Sequence, residues 1–245
     1  MPVRLNETEA NEAEASPPAI ISPANILKIR KILLRWGKVN FKNFPWRKPD
    51  NRWHALIAEV LLQRTRVASV VPVYEQFTSK YPEPADLAKA SLEEIEKLIY
   101  PLGLRWRAPL IRELGEALKT LGGVPNSLEE LLELPGVGSY AAAAYLGFHG
   151  GKRAVIVDAN VVRWLCRLVD RPYDGETRRK KWLVDLANDV TPSRKWTEFN
   201  YAVLDFTMQV CGKVPRCSIC PIGPALCLTG QKILTEAGQT DDARI

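Results

Sequence analysis

The feature that most constrains the fold is a glycine hairpin at 135–138, placed between two helical patterns at 128–134 and 139–148. Glycines let the backbone turn tightly and leave its N–H groups uncovered by side chains. The first N–H groups of the helix that follows lack partners within that helix, so they form a natural anion site. The hairpin therefore predicts a helical protein with an anion-binding loop, for which a DNA phosphate is one candidate ligand.

A single carboxylate follows the next apolar run. Asp158 comes directly after the apolar segment 154–157, where the chain leaves a buried stretch. One interpretation is a carboxylate placed for chemistry. The other is an N-cap for the helix beginning near Asn160, since Asp and Asn are both favoured there. The two roles are compatible.

Helical periodicity continues through the rest of the chain. Apolar residues recur at helical spacing in successive segments, whereas strict alternation never persists and no Asn-Gly hairpin signal appears. A chain of 245 residues can bury a sizeable core in one large or two small domains. The sequence predicts an all-α fold.

The charge distribution favours a polyanionic partner. The net charge is +6, and the first 22 residues carry four Glu and one Arg, so the remainder stands at +9. A basic protein without a nucleic-acid role is the alternative. Segment 1–22 is expected to be a disordered tail. No apolar run approaches the roughly 18 residues that span a membrane, and no secretory signal is visible. We expect a cytoplasmic, nucleoid-associated protein.

Four of the five cysteines cluster near the C-terminus in the pattern C-x5-C-x2-C-x6-C. In a reducing compartment such a cluster indicates a metal or iron–sulfur site rather than disulfides. Four thiolates at this spacing can hold a [4Fe–4S] cluster or a tetrahedral zinc ion. Cys166, on an apolar helix face, is expected in the core. The four candidate ligands are Cys211, Cys217, Cys220 and Cys227.

Together, LPGVGSY at 134–140, Asp158 in VDAN and the four-cysteine loop resemble the endonuclease III/MutY superfamily of helix-hairpin-helix DNA glycosylases, over about residues 26–227. FPWR, AEVLLQRT and FNYAVLDF are most similar to MutY and to the Mig-type G:T mismatch thymine glycosylases. The usual family cysteine spacing is C-x6-C-x2-C-x5-C, so both outer gaps differ here by one residue while the span is kept. The resemblance implies a [4Fe–4S] cluster on the four cysteines.

The resemblance also implies two helical domains with a cleft between them. A six-helix barrel with the hairpin is expected at 51–153, and an iron–sulfur cluster domain at 23–50 and 154–230, with a C-terminal tail at 231–245. The implied partner is double-stranded DNA with a mismatched or damaged base, bound by a monomer. The target base would be flipped into the cleft.

Four residues match catalytic positions of the family. Asp158 would stabilise the positive charge that builds on the sugar, and Glu59, buried with a raised pKa, would protonate the leaving base. Tyr140 stands where endonuclease III carries the lysine that forms a Schiff base, which implies an enzyme that only removes the base. Asn160 matches a family asparagine. The plainer alternatives are a partly exposed Glu59, a Tyr140 packed on the hairpin and an N-capping Asn160.

A further set of residues matches DNA contacts of the family. Gln63 and Arg64 belong to the loop that enters the vacated base stack, and the segment around Trp106 wedges the opposite strand, although a core position for Trp106 is the alternative. The hairpin would hold the backbone. The remaining members of this set are Leu104, Arg105, Gly136, Val137, Gly138 and Ser139.

The base removed is the open question. Eighteen residues follow Cys227, too few for the additional C-terminal domain of MutY. With Arg64, this favours thymine or uracil opposite guanine. A MutY-like adenine glycosylase, acting opposite guanine or 8-oxoguanine, is the alternative that Glu59, Gln63 and Asn160 support. A non-catalytic iron–sulfur DNA-binding protein is a further one. A strand-cleaving lyase would need an amine, and Lys152 does not match the family position.

Overall fold

The computed structural model describes residues 20–103 and 105–242, with side chains described as far as 237. This part of the chain contains twelve α-helices and no β-strand, so the all-α prediction is confirmed. None of these helices is long and apolar enough to cross a membrane. The helices are α1 Pro23–Asn40, α2 Arg52–Leu61, α3 Val67–Lys80, α4 Pro84–Ala88, α5 Leu92–Ile99, α6 Ala108–Leu121, α7 Leu128–Leu132, α8 Ser139–Phe148, α9 Ala159–Leu168, α10 Lys181–Val190, α11 Trp196–Gln209 and α12 Leu228–Asp242.

Local sequence signals set several helix ends. Ser91 begins α5 with a capping box, in which its hydroxyl accepts from the Glu94 N–H and the Glu94 carboxylate accepts from the Ser91 N–H. Ser127 caps α7 in the same position relative to Glu130. Gly122 ends α6 in the left-handed conformation, at φ +73°, which glycine adopts without a Cβ clash. Short local patterns in the sequence therefore account for these ends.

The buried hydrophobic side chains form two clusters. The first core lies among α2 to α8 and includes Trp46 from the loop before α2. The second core combines α1 with α9, α10 and α11 and extends to Ile222 in the cysteine loop. The chain therefore leaves the second core after α1, builds the first core, and returns at α9. The domain boundaries given above remain a prediction that this arrangement supports.

The structure describes little of the predicted N-terminal tail and most of the predicted C-terminal tail. Positions 1–19 of the N-terminal tail lie outside the described residues, and so do 243–245 at the other end. Most of the predicted C-terminal tail belongs to α12, which packs against α9. Thr229 at its start donates a hydrogen bond to Asp170, 2.9 Å away. This helix was not expected from the sequence.

Helices α1 and α11 approach each other unusually closely. A Cβ atom on Gly37 of α1 would lie 2.5 Å from the Cβ of Ala202 on α11, nearer than two carbon atoms can pack. Any larger residue at Gly37 would push the helices apart. This small-residue contact fixes α1 in the second core.

A buried ion pair joins the loop after α1 to α11. Both Arg47–Asp205 contacts measure 2.8 Å, in the two-pronged geometry that a guanidinium and a carboxylate favour. Asp205 also accepts from the Lys42 N–H, and Arg47 donates to the Lys42 carbonyl. The rings of Phe41 and Tyr201 lie 4.7 and 4.4 Å from the guanidinium. The pair thereby fastens the segment leading into the first core onto the second.

We expect Asp205→Asn to lower the free energy of unfolding by about 3–5 kcal/mol, because it leaves the Arg47 charge buried without its counter-charge. Chemical denaturation measures this. The matched control is Asp185→Asn, which breaks the exposed pair with Lys181 and should cost less than about 1 kcal/mol. Equal losses in the two variants would contradict a special role for the buried pair.

Candidate active site

A cleft of about 890 Å³ opens between the two cores. This volume lies near the upper end of the roughly 300–1,000 Å³ of typical ligand pockets. Glu59 of α2 and Tyr140 of α8 line it from the first core, and Asp158 and Tyr201 line it from the second. Asn160 lines it as well, so all four predicted catalytic residues meet in one place.

Asp158 is the N-cap of α9. Its Oδ1 accepts from the backbone N–H groups of Asn160 and Val161, at 2.9 and 2.7 Å. Its Oδ2 accepts from the Asn160 side-chain amide at 2.9 Å. Three hydrogen bonds therefore hold the carboxylate in one orientation at the wall of the cleft. The capping role is present, and it positions the carboxylate rather than removing it from the site.

Arg163 connects this carboxylate to the cysteine loop. Its guanidinium donates to the side-chain oxygen of Asn160 at 3.0 Å and to the backbone carbonyl of Cys211 at 3.2 Å. Asn160 in turn donates to Asp158. The sequence reasoning missed Arg163. Its available signal was an arginine in an otherwise apolar stretch of α9, because a buried cation must have partners.

Glu59 is a buried acid. It is 4 % exposed, and no described residue forms a hydrogen bond or ion pair with its carboxyl group. Burial raises the pKa of Glu59 to about 8, and the positive charge of Arg47 offsets the shift only in part. Glu59 therefore keeps its proton at neutral pH and can act as an acid. The alternative of a partly exposed helix glutamate is wrong.

Tyr140 is half-buried at the first turn of α8, where it lines the cleft. Burial raises the pKa of Tyr140 well above the usual value, and the Asp158 carboxylate raises it further, joined by the Glu59 carboxylate once Glu59 ionises at alkaline pH. The phenol consequently stays protonated and can donate a hydrogen bond within the cleft. It offers no nucleophilic amine. The position is part of the cleft rather than only a packing contact of the hairpin.

The hairpin has the geometry expected of an anion-binding turn. Gly136 lies at φ +73°, which favours glycine, and Gly138 is the N-cap of α8 without a side-chain cap. Gly138 and Ser139 are exposed and line the cleft. The side chain of Val137 is buried in the first core, so only its backbone is available to a ligand. Gly136 does not line the cleft.

The loop between α2 and α3 contains two predicted DNA contacts, one engaged with protein groups and one exposed. Gln63 donates to the Gly136 carbonyl at 3.3 Å and accepts from Arg107, so it braces the hairpin. Arg64 is exposed, lines the cleft and adopts φ +60°, a strained conformation that typically costs about 1–3 kcal/mol. Arg64 is therefore presented to a ligand, whereas Gln63 would have to leave its partners.

The predicted wedge lies outside the cleft. Arg105 and Trp106 belong to a short 3₁₀ turn before α6 and do not line the cleft. Trp106 is 62 % exposed, so the alternative of a core tryptophan is wrong. Its ring centre lies 5.4 Å from the Arg107 guanidinium. Leu104 lies outside the described residues.

Two arginines that the sequence reasoning missed also line the cleft. Arg178 and Arg179 are exposed in the 3₁₀ turn between α9 and α10. Thr177 anchors this turn: it is fully buried, and its hydroxyl accepts from the Asp174 N–H and donates to the Asp174 carboxylate. The only available signal was the run of four basic residues at 178–181, which had entered the interpretation as net charge alone.

The four clustered cysteines line one pocket beside α9 and α12. N–H groups face two of their sulfurs: Arg167 lies 3.5 Å from Cys211 Sγ, and the Gly230 N–H lies 3.4 Å from Cys227 Sγ. Among the residues that the structure describes, no three Cys, His, Asp or Glu side chains converge closely enough for a single metal ion. Cys166 lies apart, fully buried in the second core as expected.

Sequence comparison adds a family to this geometry. The sequence-family model described as "HhH-GPD superfamily base excision DNA repair protein" matches residues 57–182. This segment contains the hairpin, Glu59, Tyr140 and Asp158. The chain belongs to the HhH-GPD superfamily. The recognition made from the sequence is therefore confirmed.

Individual members of the superfamily cover most of the chain. The thymine/uracil-DNA glycosylase of Pyrobaculum aerophilum is 38 % identical over 84 % of this chain and 93 % of its own length. The solved structure of a thermostable thymine-DNA glycosylase matches with a TM-score of 0.78 and 33 % identity, over 85 % of this chain and 98 % of that one. The adenine DNA glycosylase of Rattus norvegicus is 34 % identical over 86 % of this chain, but only 43 % of that protein is covered.

In this HhH-GPD protein, Glu59→Gln should increase stability at alkaline pH. Between pH 4.5 and about 8, the folded state keeps a proton on Glu59 that the unfolded state has already lost. The contribution of Glu59 to the free energy of unfolding therefore falls as the pH rises through that window. Glutamine removes this dependence. We expect the variant to gain on the order of a few kcal/mol over the unmodified protein between pH 5 and 8, measured by denaturation at each pH.

The matched control is Glu75→Gln on the exposed face of α3. Its stability difference from the unmodified protein should stay flat across the same pH range. A flat difference for Glu59→Gln as well would show that Glu59 ionises normally, and the assignment of a buried acid would be withdrawn.

Proposed function

We propose that this HhH-GPD protein is a monofunctional DNA glycosylase that removes thymine or uracil opposite guanine from double-stranded DNA. The observation that carries the proposal is the pairing, in one cleft, of a protonated acid at Glu59 with an anchored carboxylate at Asp158. Cleavage of an N-glycosidic bond needs both groups, because the base must gain a proton while the sugar carries positive charge.

The reaction follows from the placement of these groups. The target base is flipped out of the duplex into the cleft. Glu59 donates its proton to the departing base as the C1′–N bond breaks, and the bonding electron pair leaves with the base. The Asp158 carboxylate stabilises the sugar cation until a water molecule adds at C1′. The proton released by that water restores the acid form of Glu59.

The protein leaves an abasic site rather than a broken strand. Formation of a Schiff base needs an unprotonated amine beside C1′. Tyr140 occupies the position of the family lysine and carries a phenol that stays protonated. Lys152 is exposed beyond α8 and does not line the cleft. We infer that strand cleavage, where it follows, is performed by another activity.

Three arginines form the face of the cleft that we propose to hold the DNA backbone. Arg64 and the pair Arg178 and Arg179 line the cleft on exposed loops. The hairpin contributes uncapped backbone N–H groups at Gly138 and Ser139. Arg64 and the hairpin belong to elements of the first core, whereas Arg178 and Arg179 precede α10 of the second. A strand bound across the cleft would therefore meet positive charge from both cores.

The choice of base rests on the relatives and on one loop. The relative from Pyrobaculum aerophilum is named for thymine and uracil and is matched over nearly its whole length. Adenine removal has less support, since the adenine glycosylase from Rattus norvegicus is 34 % identical, against 38 % for the thymine/uracil relative. Gln63, which supports the adenine alternative, is engaged with Arg107 and Gly136.

We also propose that Cys211, Cys217, Cys220 and Cys227 hold a [4Fe–4S] cluster. The four thiols line one pocket, and N–H groups face two of the sulfurs. When bound, the cluster supplies metal–thiolate bonds that cross-link the loop 211–227. Fixing that loop also fixes the Cys211 carbonyl, to which Arg163 donates.

The decisive assay offers the protein duplexes that contain one G:T, G:U, G:A or 8-oxoguanine:A pair, followed by alkali to cut at abasic sites. We expect release of thymine and uracil, and cleavage only after alkali. Asp158→Asn keeps the size of the side chain and one acceptor oxygen but lacks the negative charge, so excision should fall by at least about 100-fold, of the order seen when one transition-state stabiliser is removed.

Three results would change the proposal in different ways. Selective release of adenine would replace the substrate. Release from none of the four pairs would favour a non-catalytic DNA-binding protein. A strong covalent adduct after borohydride reduction would show an amine nucleophile and overturn the monofunctional assignment.

The arginine face predicts a change in the salt dependence of DNA binding. Each lost phosphate contact lowers the slope of log K against log salt by about 0.9, so Arg178→Ala with Arg179→Ala should lower it by roughly 1.8. Fluorescence anisotropy with an uncleaved duplex measures this. The matched control is Lys28→Ala with Arg35→Ala on α1, two positions that do not line the cleft. An equal change in both double variants would contradict a local phosphate contact.

A further inference from the structure

The indole of Trp164 carries a polar group that the protein itself does not satisfy. Trp164 is 2 % exposed in α9, and its Nε1–H has no hydrogen-bond partner among the residues that the structure describes. Burying a donor without an acceptor is unfavourable, and most buried donors are paired. A partner that is not part of the polypeptide would resolve this exception.

Trp164 belongs to the wall of the pocket of the four cysteines. It lines that pocket together with Arg167 and Leu168, three and four residues further along the same side of α9. Arg167 already directs its guanidinium at Cys211 Sγ, and its other contacts are the carbonyls of Gly212 and Lys213. This face of α9 therefore supplies donors to the cysteine loop.

The rest of the pocket wall near Trp164 offers little to an indole N–H. Phe206, Val210 and Ile222 are apolar and buried there. The Trp164 ring packs edge-on against Phe206, with ring centres 6.2 Å apart. Among the side chains that line the pocket, only Thr229 and the four cysteines can accept a hydrogen bond, and Thr229 is already bonded to Asp170. The cysteines and what they bind are therefore the available acceptors.

We propose that the Trp164 indole N–H donates a hydrogen bond to a sulfur of the iron–sulfur cluster held by Cys211, Cys217, Cys220 and Cys227. The inference rests on the cofactor proposed above. Sulfide and thiolate sulfurs of such clusters carry negative charge and accept N–H donors. Arg167 and the Gly230 N–H already donate to two of the cysteine sulfurs, and Trp164 would be the third N–H donor.

The bond has a definite electronic consequence. A donor to sulfur stabilises the more negative, reduced state of a cluster more than its oxidised state, which raises the reduction potential. Loss of the donor should shift the potential to more negative values. A tryptophan that only fills space would leave the potential unchanged when another aromatic ring replaces it.

The test compares Trp164→Phe with Trp36→Phe in cluster-loaded protein. Trp36 also packs edge-on against Phe206, with ring centres 5.7 Å apart, but it does not line the cysteine pocket. Both variants lose an indole from the same core, and only the first loses the proposed donor. Protein-film voltammetry should show a negative shift for Trp164→Phe and none for Trp36→Phe, at equal iron content.

A second measurement detects the hydrogen bond directly in unmodified protein. In unmodified protein grown with tryptophan labelled with ¹⁵N in the indole, electron–nuclear double resonance of the paramagnetic cluster should detect one ¹⁵N coupling and one exchangeable proton. Trp164→Phe should remove both signals and Trp36→Phe neither. If Trp164→Phe cannot be loaded, the labelled unmodified protein decides alone.

The outcomes separate this inference from the proposals on which it rests. Unchanged potentials in both variants, or no ¹⁵N coupling in loaded protein, would overturn the role of Trp164 and leave the cluster in place. Failure of the unmodified protein to take up iron and sulfide would overturn both cofactor and inference. Base excision is measured separately and does not enter either result.

Discussion

The buried pair of Arg47 and Asp205 is the interaction on which the site most depends. It ties the segment that enters the first core to α11 of the second, and so fixes the distance between the two walls of the cleft. The same guanidinium lowers the pKa of Glu59, against the larger effect of burial. Arg47 is occupied by Asp205 at both its terminal nitrogens, which limits how far it can neutralise Glu59. One ion pair therefore influences both the geometry and the protonation of the cleft.

Helix α9 carries out two tasks along its length. At its start, the backbone N–H groups of Asn160 and Val161 donate to the Asp158 carboxylate at the cleft. Its later turns carry Arg163, Trp164 and Arg167 on the side of the cysteine loop. A change in the loop can reach the Asp158 carboxylate through Arg163 and Asn160 within about two helical turns, roughly 11 Å. The four cysteines thus support the cleft without lining it.

Much of the site could be predicted from short stretches of sequence. The hairpin, the cap at Asp158 and an acid within the apolar run of α2 each carry a local signal, and each lies where the pattern indicated. Asp205 and Arg163 could not be found in that way. Their partners lie 158 residues away for Asp205 and 48 for the Cys211 carbonyl, and helical periodicity carries no information about such pairing. Arg178 and Arg179 were hidden for a similar reason, since only the fold brings their turn to the cleft.

The unpaired carboxyl group of Glu59 has a consequence for how this protein can change. A buried acid whose pKa is raised to about 8 destabilises the folded state at pH values above its ordinary pKa. Nearly any neutral side chain of similar size would remove that destabilisation. Selection for heat resistance alone would consequently collect substitutions at this position, and the resulting proteins would be sturdier and unable to protonate a leaving base. Thermal stability and base removal therefore place opposite requirements on the side chain of Glu59.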